Sequence, residues 1–356
     1  MALAGVTFVV EHLPRIGATS VVLEGVSRAK FSLFGGQKLQ VEDETGRLTS
    51  ICLPTEIVTD EPLKIVEKSP NCYSLRLKSR PQDLAAYQTA CKAQNIVMSL
   101  PEGKWCKKEL LESGSFRLRC LGCEFDIIDE RNCNKLSELP SEFWQELMDY
   151  WHCHKPHQPS QEIWYSARYN SLQPAVGEVV IGGSFFLAQP DTFASRTKAS
   201  NGLVQCARCL ATIGDETKDK LYKIRKWQVF LSTSEHEKDV FPPEQDVVFT
   251  LLNLLKGYST RYVLLSSKES QIVVWIFAIG LDVTLSNNMV LKNCIKILFR
   301  ERMPEEEMKK HNIEKVEIED LPMQSFMQSL QYYNGLLPSS ANSFGEWRVS
   351  YATFAK

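Results

Sequence analysis

Two cysteine pairs in this 356-residue chain have the spacing that metal chemistry needs. Cys120 and Cys123 form one CxxC (RCLGC), and Cys206 and Cys209 form another (QCARC). Two thiolates separated by two residues make a knuckle, and two knuckles supply the four sulfurs that structural zinc takes in tetrahedral geometry. Gly122 is expected to permit the tight turn that points the first pair inward. The pairs are too far apart in sequence for a compact finger, so they would have to converge through the fold. Two readings stand: a shared four-cysteine zinc site, or two reduced surface turns without metal. Cys133, shortly after Cys123, is a substitute ligand on spacing alone.

A third group of ligands, His152, Cys153, His154 and His157, follows the stretch LPSEFWQELMDYW. Pro140 suits a first helical turn. Phe143, Trp144, Leu147, Met148 and Trp151 recur at the helical period, with Glu142, Gln145, Glu146 and Asp149 opposite. Lys155-Pro156 stops that helix. His152 to His157 are then either neighbours of the zinc site, with His154 favoured at the helix C-terminus, or a protruding Cys153-His154 ligand pair that reaches a metal in another protein. A Cys beside a His can also be a thiolate nucleophile, yet adjacent side chains at a helix end point apart and no orienting Asp or Asn is evident. Gly35-Gly36 and Gly182-Gly183 lack the spacing and the basic residue of a phosphate loop.

The elements that must position these groups suggest an α+β protein in three parts. Residues 1–118 read as a β-rich N-terminal domain, with strands at 6–10, 20–23, 38–41, 48–52, 73–77 and 115–118 and one helix at 82–94. Cys52, Cys72, Cys91 and Cys106 there read as small buried hydrophobes. Residues 119–215 form a zinc-knuckle middle region, with strands at 177–187 and 203–205. Residues 216–356 read as an α+β C-terminal domain: a strand at 222–232, a helix at 247–255, a strand pair at 261–265 and 271–279, a strand at 313–318, a helix at 321–330 and a strand at 347–354. The basic run Lys218–Lys226 reads as a solvated strand face, and Arg300–Lys310 as a solvated loop or helix end.

Bulk composition narrows the function classes. With 44% apolar residues, 24% charged residues and a net charge of −2, there is no electrostatic case for direct nucleic-acid binding or for an anionic membrane. The first residues lack the basic region and apolar core of a signal peptide, and no apolar run approaches the length of a membrane span. Eleven cysteines without a secretory signal point to a reducing compartment, cytoplasmic or nuclear.

The motifs resemble those of the HECT-like ubiquitin ligases, first described as ubiquitin-conjugating-enzyme-binding proteins. The matching features are Cys120/Cys123, the LP…W…L…W-x-C-H-x-P run from Leu139 to Pro156, GxSFFL at Gly182–Leu187, and C-x-R-C-x…G from Cys206 to Gly214. The resemblance implies a ubiquitin-protein ligase that binds a ubiquitin-conjugating enzyme and promotes ubiquitin transfer. It also implies an alternative. In that role a non-catalytic protein stabilises or restrains the zinc endonuclease of mRNA 3′-end processing, in the cleavage and polyadenylation complex, with Trp151, Cys153 and His154 at the interface. True HECT enzymes carry ubiquitin on a cysteine near the C-terminus. Here the last cysteine is Cys294, inside the alternating run Val290–Phe299 that reads as a buried strand, and Cys153 is the more exposed candidate nucleophile.

Overall fold

The computed structural model describes residues 5–59, 63–79, 103–139, 174–311 and 313–354. The described part is mostly β-sheet with few helices. No described helix is long and apolar enough to cross a membrane. The expected helix at 82–94 lies outside the described residues, as does the helix expected after Leu139.

The chain divides into two compact units, residues 1–101 with 254–354, and residues 102–253. These units do not follow the expected limits at 118/119 and 215/216. Strand pairing is the physical reason, because it joins segments distant in sequence. Thr7–Leu13 pairs with Gln271–Leu285 in the first unit, and Phe116–Cys120 pairs with Val229–Thr233 in the second. The boundary at 253/254 falls inside one helix, Glu244–Tyr258.

The first unit is built on a ten-stranded sheet. Its strands alternate buried and less buried positions, as in Ala18–Glu24, so one face of each strand goes into a core. Phe8, Val10, Val21 and Leu23 pack with Leu39, Val41 and Ile51 of a three-stranded meander. Val9, Leu281, Val283, Cys294, Leu298 and Tyr351 belong to the second core of this unit. The expected strands at 48–52 and 347–354 and the helix at 321–330 are observed as Leu48–Cys52, Trp347–Ala352 and Asp320–Gly335.

The second unit contains a seven-stranded and a four-stranded sheet sharing one core that includes Trp105, Phe186, Phe193, Trp227 and Phe241. The strand expected at 222–232 is broken there. Tyr222–Arg225 and Val229–Thr233 belong to different sheets, separated by one 3-10 turn, Lys226–Gln228.

That turn overturns the solvated reading of Lys218–Lys226 at its last residue, whereas Lys218 and Lys220 are exposed as expected. Lys226 is 1% exposed. Its ammonium donates to the Lys104 carbonyl at 2.9 Å and lies over the rings of Phe186 and Phe241. An ammonium can be buried when carbonyls and π-faces replace its water. The solvated reading of Arg300–Lys310 also fails at its first residue. Arg300 is 7% exposed, stacked on Trp347 and paired with Glu307 and Glu346. Glu305–Lys310 is a short helix with no buried residue, as a mixed-charge run would suggest.

Candidate metal centre

The four CxxC cysteines converge. The Sγ atoms of Cys120, Cys123, Cys206 and Cys209 all lie within 4.8 Å of one another, although 83 to 89 residues separate the paired positions. Cys120 Sγ is 3.7 Å from Cys209 Sγ, and Cys123 Sγ is 3.6 Å from Cys206 Sγ. Zn–S bonds of about 2.3 Å put tetrahedral sulfurs about 3.8 Å apart. Disulfide sulfurs would be about 2.05 Å apart, and all four cysteines are free. The donor set and its edges fit a tetrahedral metal.

Each knuckle is the loop of a hairpin. The first joins Phe116–Cys120 to Asp126–Asp129, and the second joins Leu203–Cys206 to Thr212–Glu216. The two loops repeat one hydrogen-bond scheme. The amide of Cys120 donates to the Phe125 carbonyl and that of Glu124 to the Cys120 carbonyl; Cys206 and Ala211, and Leu210 and Cys206, do the same. The residue after each second cysteine is left-handed, Glu124 at φ 60° and Leu210 at φ 61°. The hairpins belong to the two different sheets of this unit, so a shared ion would tie one sheet to the other.

This corrects the role expected of Gly122. Gly122 is not among the left-handed residues, and a Cβ there would make only ordinary contacts at 3.8 Å or more. The matching position of the second knuckle is Arg208. The turn depends on Glu124 and Leu210 instead, side chains that no glycine pattern reveals.

The electrostatics of the cage suit a bound cation. Burial pushes the Cys120 thiol up to about 12, against backbone N–H groups of Gly122 and Cys123 that pull it down. Burial also raises Cys123, whereas the Ala211 N–H lowers Cys209. Cys120 and Cys206 are fully buried and Cys209 is exposed. Four thiolates this close repel one another strongly, and a divalent cation converts that repulsion into attraction. Cys133 stands outside the cluster, with its thiol directed to the Lys135 carbonyl.

The glycines of the two other matching motifs are packing devices. A Cβ on Gly214 would sit 2.0 Å from the Lys223 carbonyl oxygen on the neighbouring strand. A Cβ on Gly183 would enter the Phe249 ring. Ser184 donates to Asp246 at 2.7 Å, and Phe186 is fully buried against Trp105. Burial raises the Asp246 carboxyl, with the Ser184 hydroxyl opposing.

Cys294 lies in the strand Val290–Arg300 and is 0% exposed. Burial drives its thiol well above the ordinary value, and the nearby Asp282 and Glu11 carboxylates add to the rise. Trp151, Cys153 and His154 lie outside the described residues.

Comparison with known proteins gives a consistent assignment. The family described as HECT-like ubiquitin-conjugating enzyme (E2)-binding matches residues 11–349. The uncharacterized protein YJR141W of Saccharomyces cerevisiae is 35% identical over 357 residues, covering 98% of this chain and 99% of that protein. An E3 ubiquitin-protein ligase of Rattus norvegicus is 22% identical over 181 residues, 50% of this chain and 46% of that protein. The Homo sapiens E3 ubiquitin-protein ligase is 22% identical over 188 residues, 46% of each chain. Each match to these ligases thus takes in less than half of the ligase. No solved structure matches. With the match running through both cysteine pairs and nearly the whole length, the chain belongs to the HECT-like ubiquitin-conjugating enzyme (E2)-binding family.

Proposed function

We propose that this protein binds a ubiquitin-loaded conjugating enzyme and promotes ubiquitin transfer as a ligase, with a structural zinc ion in the four-cysteine cage. The observation that carries the reading is the family match over residues 11–349. The burial of Cys294 shapes the mechanism. A thioester relay needs a thiolate that a bulky partner can reach, and a fully buried, protonated thiol is neither ionised nor reachable. On this reading activity does not pass through Cys294 but comes from holding the loaded conjugating enzyme in a reactive arrangement. Transfer goes directly from its thioester to the acceptor amine, so Cys153→Ser, at the other candidate nucleophile, should leave it intact as well.

A single-turnover discharge assay with full-length protein tests this. Ubiquitin should leave the loaded conjugating enzyme faster in the presence of the protein, and Cys294→Ser should keep that acceleration. No acceleration across a panel of conjugating enzymes would remove the ligase reading. Loss of acceleration in a folded Cys294→Ser variant would remove the relay-free mechanism.

A further inference from the structure

The first unit holds a cavity of about 200 Å³ lined by its own residues. Its floor is a row of side chains from paired strands, among them Glu11, Ser20, Lys296 and Tyr351. Phe277 and Phe344 line it as well and are 43% and 60% exposed.

Local backbone geometry sets the position of both rings. Phe277 sits at a register shift in the strand Gln271–Leu285, between Ile276 and Ala278. A bulge of this kind re-aims a side chain at the expense of regular pairing. The guanidinium of Arg261 donates to the carbonyls of Ile276 and Phe277, at 3.0 and 3.4 Å. Phe344 is held by a tight hairpin, where it pairs with Trp347 across a turn with Gly345 at φ 60°. The Phe277 ring meets the Trp275 ring edge-on at 5.2 Å and the Lys296 ammonium at 5.7 Å, and both phenylalanines stay partly exposed where they line the cavity.

The polar floor is only half used. One oxygen of Glu11, Oε1, accepts from the Tyr351 hydroxyl at 2.5 Å and pairs with the Lys296 ammonium at 2.7 Å. Glu11 Oε2 and the hydroxyls of Ser20 and Ser343 make no hydrogen bond among the described residues. The cavity thus offers an acceptor beside a donor, on a floor whose charges cancel. A ligand bringing a net charge would leave one member of that pair opposed, which a partly desolvated site penalises.

We infer that this cavity binds a small, neutral, planar molecule whose edge carries an N–H donor next to a C=O acceptor, of the aromatic carboxamide kind. Its N–H donates to Glu11 Oε2, its carbonyl accepts from Lys296 Nζ, and its ring packs on Phe277 and Phe344. The volume admits one ring with its substituent, below the usual range of about 300–1,000 Å³ for larger ligands.

Calorimetric titration of the full-length protein tests the inference, with benzamide as probe and benzoate and benzylamine as single-charge comparators of the same shape. Benzamide should bind at least fivefold more tightly than either. Phe277→Ala should weaken it about tenfold, the loss of one ring contact worth about 1.4 kcal/mol. Phe344→Ala, at the more exposed position, supplies a second variant should Phe277→Ala fail to fold. No binding of benzamide, equal or tighter binding of a charged comparator, or unchanged affinity in a folded ring variant would each overturn it.

Discussion

Cys120 Sγ and Cys209 Sγ lie 3.7 Å apart across 89 residues of sequence, each donated by a hairpin of a different sheet. The first cysteine of one knuckle faces the second of the other, and Cys123 with Cys206 repeats the relation. The cage therefore has approximate twofold character, with the same loop length and hydrogen-bond scheme on both sides. Two hairpins with their own pairing partners bring four sulfurs to one point, which makes the site a link between sheets rather than a decoration on one.

Removing the metal should therefore loosen residues 102–253 more than the other unit. Structural zinc contributes about 10–16 kcal/mol in small zinc peptides, against a usual domain stability of about 5–15 kcal/mol. Cys206→Ser should lose the ion and expose this unit to limited proteolysis, while segments of the first unit keep their amide protection. Hydrogen exchange with and without chelator checks it, and equal protection in both states would contradict it.

Gly214→Ala should be among the most damaging conservative changes. The new Cβ would meet the Lys223 backbone at 2.0 Å, and a strand cannot move aside as a side chain can. Overpacking of this kind costs about 1–3 kcal/mol or more. Gly122→Ala, which meets its neighbours at ordinary distances, should cost well under 1 kcal/mol. Urea melts of the two variants provide the comparison.

Lys226→Met keeps the length of the side chain and removes the ammonium. The carbonyls of Lys104 and Trp105 would lose that buried donor. A loss of about 1–3 kcal/mol is expected, seen as a lower urea midpoint at unchanged slope. An unchanged midpoint would show that the contact is energetically neutral.

Acid should weaken the first unit through Glu24. Burial raises this carboxyl, but hydrogen bonds from Ser340 and Ser339 outweigh it and leave the value below the ordinary 4.5. Since the folded form holds its proton less tightly than the unfolded chain, the contribution is complete above about 4.5 and disappears as pH falls through the lower folded value. Glu24→Gln should cost about 1 kcal/mol at pH 6, discounted for its partial exposure. It should also flatten the decline between pH 5 and about 3. Melting temperatures of both proteins across that range decide it, and parallel curves would contradict the assignment.

Local pattern made much of the architecture legible. Leu48–Cys52 alternates faces, Val290–Arg300 carries buried apolar residues around Cys294, and CxxC spacing marked all four sulfurs. What escaped depended on partners distant in sequence. The ladder between Thr7–Leu13 and Gln271–Leu285 merges the chain ends into one unit, and no periodicity encodes that pairing. Lys226 looked solvated because its basic neighbours did, and only Phe186, Phe241 and two carbonyls reveal otherwise. The bulge at Phe277 likewise leaves no mark in an apolar run. The repeated loop length after each CxxC was the one unused signal. It would have pointed to Glu124 and Leu210 as the turn-forming residues.

The cage itself is tested most directly by zinc-edge X-ray absorption on the purified full-length protein, with metal content measured on the same sample. One zinc per chain with four sulfur neighbours at about 2.3 Å is expected. A protein without stoichiometric metal, or a zinc shell with fewer than four sulfurs, would contradict it.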